Sequence, residues 1–352
     1  MKRQMFIVIA ALVALLALPA LAGATMAFTK VPTKASGANM PIMLADDDGA
    51  NVRALNVTGT QPMISPDGRH VAYTYIANTK TWAEELRIVN VATGVMVDTN
   101  LACVGPEWAP NSSRVACLTS RYGGKGNALL GTGVNTVALD GTSAVILPAT
   151  GFAVEGYTWS PDSSKIAWDQ TPIDAKSTRS VLRWLNADGS GAVGKLGAGV
   201  KPVWGPTHIA FERQWHAVSN GNVSQRQEIW TLDPAVGASS ARQLTSYNAK
   251  GFVVGPQASF WTPDGKTIVG VVVGEDYIQP VYIPVASGKV KEFGPSNAQP
   301  QGVSADGTQA LVLADLMGDA PQKVYASPLA KQSSSLLIKN AWSVSACATW
   351  QP

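Results

Sequence analysis

Beyond its first two dozen residues the chain shows no helical stripe. Its apolar residues fall in short runs that alternate with polar ones, the period of half-buried β-strands. Val71-Ala72-Tyr73, Val115-Ala116-Cys117, Ile166-Ala167-Trp168, Ile209-Ala210-Phe211 and Ile268-Val269-Gly270 are such runs. Each follows a turn signal: Ser65-Pro66-Asp67-Gly68, Ala109-Pro110-Asn111-Ser112, Ser160-Pro161-Asp162-Ser163, Gly205-Pro206 and Thr262-Pro263-Asp264-Gly265. Proline presets φ for the first central position, Asp or Asn bonds its own backbone at the second, and Gly accepts the left-handed conformation that closes the hairpin.

The turns recur. Ile64, Trp108, Trp159, Trp204, Trp261 and Val303 each stand just before one, and the chain ends on Trp350-Gln351-Pro352. The intervals are roughly 42 to 57 residues, the span of a four-stranded propeller blade. A second hairpin completes each unit, over 86–97, 134–147, 181–196, 229–244 and 281–293, with turns such as Asp140-Gly141 and Ala187-Asp188-Gly189. Each unit reads strand A, Pro-Asp turn, strand B, loop, strand C, turn, strand D. The fold class is therefore all-β, a β-propeller of four-stranded antiparallel blades. In such a ring the tryptophan of strand A buries its surface between neighbouring blades.

Six units run from about Gln61 to Ile338. The remainder is a lone C-terminal strand, Ala346 to Trp350, with Met26-Ala27-Phe28 and a hairpin from Ile42 to Leu55 at the other end. Together these make a seventh blade, a closure that removes exposed sheet edges. Seven blades is the favoured count and six with loose ends the alternative.

The pattern Trp-Ser-Pro-Asp-Gly/Ser-x-x-Ile-Ala, followed by a hairpin like Asn186-Ala187-Asp188-Gly189, resembles the TolB/PD40 (WD40-like) repeat. The resemblance covers nearly all the chain after residue 24. It departs from the repeat at Val303-Ser304-Ala305, which lacks Pro, and at Trp204-Gly205-Pro206-Thr207-His208, where the turn is short. The resemblance implies a role in cell-envelope assembly, although TolB also carries an N-terminal α/β domain for which this chain has no room.

Residues 1–24 read as a signal peptide. Lys2 and Arg3 precede an apolar run from Met5 to about Leu18, Pro19 breaks it, and Ala20-Leu21-Ala22 or Ala22-Gly23-Ala24 offers a cleavage site. Residues 25–352 then form one propeller, periplasmic or secreted, with no transmembrane segment after cleavage. Cys103, Cys117 and Cys347 would meet an oxidising compartment. The hairpin register does not set Cys103 opposite Cys117, so disulfide status is left open. A net charge of +3 gives no basic stripe, and no nucleic-acid partner is expected.

Strand alternation puts the A–B and C–D turns on one face and the longer B–C and D–A loops on the other. A binding site is expected on the long-loop face near the channel. Arg213, Trp215, His216 and Arg226 are the richest candidates, with Trp82, Arg121 and Tyr122 beside them.

No catalytic residue, metal site or cofactor is read from the sequence. Gly189–Lys195 approximates a phosphate-binding loop, but Leu196 replaces the required Ser or Thr and the context is strand-turn-strand. Asp46-Asp47-Asp48-Gly49 lacks the Glu of a calcium loop, Leu55 standing there. No Gly-x-Ser-x-Gly elbow exists, and His70, His208 and His216 cannot meet. The expectation is a non-enzymatic scaffold binding a protein or peptide of the cell envelope. The alternative is a small propeller enzyme of lyase or lactonase type, or a carbohydrate binder.

Overall fold

The computed structural model describes residues 26–30, 38–123, 128–173, 180–219, 222–247, 254–274, 277–317, 321–346 and 350–351. Residues 1–25, among them the expected signal peptide, Cys347-Ala348-Thr349 and parts of several loops lie outside them. Among the described residues the hydrogen-bonded strands divide into seven antiparallel runs of four. Blade 2 is the simplest, with strands Val104–Trp108, Arg114–Gly123, Ala128–Ala138 and Ser143–Leu147. Blade 4 uses Val200–Trp204, Ile209–Ser219, Asn222–Leu232 and Arg242–Gln243, and blade 5 uses Gly255–Trp261, Thr267–Val273, Ile278–Pro284 and Lys291–Glu292. The one helical element among the described residues, a single 3-10 turn at Gly237–Ser240, lies in the C–D connection of blade 4.

The two chain ends meet in blade 7. Strand Ser335–Ala346 closes blade 6 with its first part, and its second part pairs with Met26–Lys30, Phe28 facing Val344. Met26–Lys30 then pairs with Met40–Ala45, which pairs with the start of Arg53–Ile64. The end of that same long strand is the inner strand of blade 1. The closing strand thus lies at 341–346, upstream of the predicted Ala346–Trp350. Residues Trp350–Gln351 instead pair with the free edge of blade 6's inner strand, Ala298–Ser304.

The core lies between blades. Trp159 packs with Ala116, Val134 and Leu147 of the preceding blade, and Trp108 packs among Ala72, Leu86 and Ile88. Trp261 meets Ala210 and Ile229 in the same way. Burying one such side chain contributes on the order of 2–3 kcal/mol. The indole N–H finds a partner too: Trp108, Trp159 and Trp261 donate to the carbonyls of Met63, Glu107 and Val203 at 2.8, 3.1 and 3.0 Å. Each acceptor is the inner-strand residue before its own blade's Ile or Trp.

The Pro-Asp turns form as their residues dictate. Gly68 N–H donates to Ser65 O at 2.8 Å, and Asp67 Oδ1 accepts from Ser65 Oγ at 2.6 Å and Arg69 N–H at 3.0 Å. Where Ser replaces the glycine, at Ser112 and Ser163, the residue still takes φ near 60°. Its hydroxyl then accepts from the turn of the preceding blade, from Asp67 N–H and Asn111 N–H, both at 3.0 Å. The Gly189–Lys195 segment is a C–D turn between strands Val181–Asn186 and Gly194–Ala198.

Cys103 and Cys117 are disulfide-bonded, with Cα atoms 5.7 Å apart. A bulge explains why regular pairing left this open. Glu107 faces Ala116, but Val104 faces Leu118, so one extra inner-strand residue is accommodated and Cys103 is drawn toward Cys117.

Candidate functional site

The same irregularity occurs in every blade. Register slips between Thr60 and Met63, Val104 and Glu107, Val200 and Val203, Ala258 and Phe260, and Pro300 and Gly302. In blade 7 it falls opposite Thr29 and Lys30, at Trp342, and in blade 3 the inner strand breaks between Phe152–Ala153 and Tyr157–Trp159. Bulges re-aim side chains and bend the strand that carries them. Gln61, Gly105 and Lys201 hold φ of 48°, 61° and 49°, left-handed values that Gln and Lys seldom take.

These bends shape a central cavity of about 870 Å³, to which all seven inner strands contribute. Its long-loop end is polar, with Gln61, Glu155, Ser259, Gln301 and Ser343. Farther along come Met63, Glu107, Val203, Phe260 and the four blade tryptophans, and then the turn prolines Pro66, Pro110, Pro161, Pro206 and Pro263. The cavity therefore runs to the short-turn rim, whereas the sequence directed attention to the opposite face.

Glu107 is the one carboxylate at its level of the inner strands, where the other blades place Met63, Thr158, Val203, Phe260, Gly302 and Ser345. Its side chain is half-buried and borders the cavity. Desolvation pushes its pKa up to about 8. Tyr157 stands nearby, its hydroxyl donating to Gly105 O at 2.5 Å and Ala116 O at 3.1 Å, and burial, then the Glu107 charge, raises its pKa further. Sequence reasoning missed Glu107; the available signal was an acid directly before a blade tryptophan.

A second group braces the long-loop end between blades 3 and 4. Asp169 is fully buried and accepts from Glu155 N–H at 2.7 Å and Lys201 N–H at 2.6 Å. Burial raises its pKa to about 6, and the backbone bonds oppose the rise. Glu212, at the matching position of the next blade, is also buried, and Lys201 Nζ lies 3.8 Å from its Oε2. Desolvation raises Glu212 to about 7, with Lys201 and a Gln214 contact opposing. Glu155 is the exposed member of this group. Among the described residues no three His, Cys, Asp or Glu side chains are placed to hold a metal ion.

The sequence candidates stand elsewhere. Arg213 stacks on Trp230 of its own blade at 3.8 Å and its Nε donates to Ala198 O of blade 3 at 3.3 Å, which holds it at the seam between the two blades. Trp215 faces Arg226 across the same hairpin and is exposed. His216 faces Gln225 in the backbone register, and its side chain lies outside the described residues. Trp82 and Tyr122 are exposed on the B–C loops of blades 1 and 2, with Arg121 beside Tyr122. The fold brings Arg213, Trp215, His216 and Arg226 onto one hairpin of blade 4, with Trp82 on blade 1 and Arg121 and Tyr122 on blade 2, and none of those whose side chains are described lines the cavity.

No protein-family model matches the chain, and no curated protein matches it in sequence. Solved structures do. The β-propeller domain of the Trilobed protease from Pyrococcus furiosus matches with a TM-score of 0.61 and 14% identity, over 90% of this chain and 93% of that one. TolB from Acinetobacter baumannii matches at 0.52 and 14%, over 91% and 82%. A prolyl endopeptidase matches at 0.59 and 12%, over 91% of this chain and 50% of its own, so this chain spans about half of that enzyme. At such identities the likeness establishes the TolB-like propeller fold. No helix of the described residues is long and apolar enough to cross a membrane.

These matches correct the expectation of a non-enzymatic scaffold. Propellers of this fold occur in proteases as well as in TolB, so the fold itself does not mark a non-enzymatic scaffold.

Proposed function

We propose that the chain is a small propeller enzyme of lactonase type, hydrolysing an ester or lactone in its central channel with Glu107 as general acid. The supporting observation is Glu107 itself, a carboxyl held protonated near neutral pH in a cavity walled by Trp, Phe, Met, Val and Pro. A protonated acid can hydrogen-bond the carbonyl oxygen; as water adds to the carbonyl carbon and the C–O bond to the leaving group breaks, it passes its proton to the departing alkoxide and regains one from the added water, while apolar walls favour an apolar body. A multiply anionic substrate of a lyase would pay a desolvation cost in the same walls. Export would place the protein where the Cys103–Cys117 bridge persists.

The test follows hydrolysis of a series of γ- and δ-lactones and 4-nitrophenyl esters by wild type and Glu107→Gln. Wild type is expected to turn over at least one, and the variant to lose about 100-fold in kcat. Turnover that survives unchanged in Glu107→Gln, or no turnover of any member, overturns the assignment.

A further inference from the structure

The cavity is polarised along its axis, and that limits what can fill it. Glu107 stands one residue before its blade tryptophan, and Glu155 stands four residues before its own, in the break of blade 3's inner strand; both line the same cavity. Around Glu107 the walls are apolar; around Glu155 they are amides and hydroxyls, Gln61, Gln301, Ser259 and Ser343.

The Glu155 end is also negative. Glu155, Asp169 and Glu212 are close enough to act on one another's titration. The ammonium beside them, Lys201, is directed to Glu212 rather than into the cavity. Asp169 holds the backbone N–H groups of both Glu155 and Lys201, one on each side of the blade 3–blade 4 seam. Glu155 is therefore presented by a fixed backbone, with an exposed carboxylate and surplus negative charge behind it.

We propose that the ligand of this cavity is an elongated cationic amphiphile, whose ammonium group docks on Glu155 while its apolar body lies along the tryptophan and proline walls toward Glu107. Asp169 is then a positioning residue for Glu155. The inference rests on the cavity being the substrate site, as proposed above, and adds the class of substrate: an amine-bearing ester whose cation and reacting group are separated by an apolar body.

Two amides without a cleavable ester serve as probes, 6-amino-N-phenylhexanamide and N-phenylhexanamide. Each is titrated into the full chain and followed by the fluorescence of the cavity tryptophans. The amine form is expected to bind wild type about tenfold more tightly, a difference of about 1.4 kcal/mol. Glu155→Gln, at an exposed position that folding tolerates, is expected to bring the two within about twofold, and Asp169→Asn to narrow the gap without changing affinity for the neutral amide. Glu107→Gln should leave the preference intact. Equal binding of the two probes by wild type, or an undiminished preference in Glu155→Gln, overturns the proposal. Loss of neutral-amide affinity in Asp169→Asn reduces that residue to a structural brace and overturns its positioning role. A preserved amine preference without any ester turnover overturns the Glu107 chemistry alone, and ester turnover without the preference overturns the cation subsite alone.

Discussion

Trp159 donates its indole N–H to the backbone carbonyl of Glu107 at 3.1 Å, joining the blade wedge of one sheet to the cavity acid of the next. The repeat that builds the ring is thus in direct contact with the residue assigned the chemistry. Replacing the indole tests the structural half of this relationship. Trp159→Phe keeps most of the apolar contact but removes the donor and part of the volume. An expected loss of about 1–3 kcal/mol should appear as a lower urea midpoint with an unchanged slope. No change would mean that the seam does not depend on this bond.

The closure of the ring is equally testable. Phe28 is buried in a strand paired on both sides, with Val344 and with Met43. Phe28→Pro removes an N–H and the side chain at once from the middle of blade 7. It is expected to cost more than about 3 kcal/mol and to open the molecule to limited proteolysis near the joined ends. Native resistance would show that blade 7 contributes little to holding the ring.

The Cys103–Cys117 bridge closes a loop whose cysteines are 14 residues apart, and both residues are fully buried. Replacing the pair with alanine is expected to cost roughly 3 kcal/mol, and reduction of the wild type should produce most of that loss. Thermal denaturation with and without reductant gives the comparison. Coincident transitions would place the stabilisation elsewhere.

Stability should fall as pH rises through the neutral range. Glu107, Glu212 and Asp169 have folded pKa values raised to about 8, 7 and 6. Between its ordinary value and its raised value, each group binds more proton in the native than in the unfolded state. The native state is therefore favoured at low pH and loses that advantage as pH climbs toward about 8. Asp162 works in the opposite sense: bonds from Ser160 and Ser164 lower its pKa to about 2, so its contribution disappears as pH falls through that value. Glu107→Gln is expected to flatten the loss between about pH 5 and pH 8, so that the variant melts above wild type at the alkaline end. Parallel stability profiles would show that Glu107 is not held protonated.

The blades and their turns could be read from the chain, because each depends on neighbours in sequence. A proline and an aspartate set a turn within four residues, and alternation sets which face of a strand is buried. Trp108, Trp159 and Trp261 could be assigned to the seams for the same reason. The cavity could not be read this way. Its lining comes from seven inner strands far apart in the chain, and its shape from bulges that leave the alternation of residues almost unmarked. Sequence reasoning favoured long loops with an Arg, an aromatic and a His, whereas Arg213 is held against Trp230. The pairing of Cys103 with Cys117 and the raised pKa of Glu107 were decided by tertiary structure alone. The first needs one extra residue in a strand, and the second needs neighbouring blades to desolvate a carboxyl that looks ordinary in the chain.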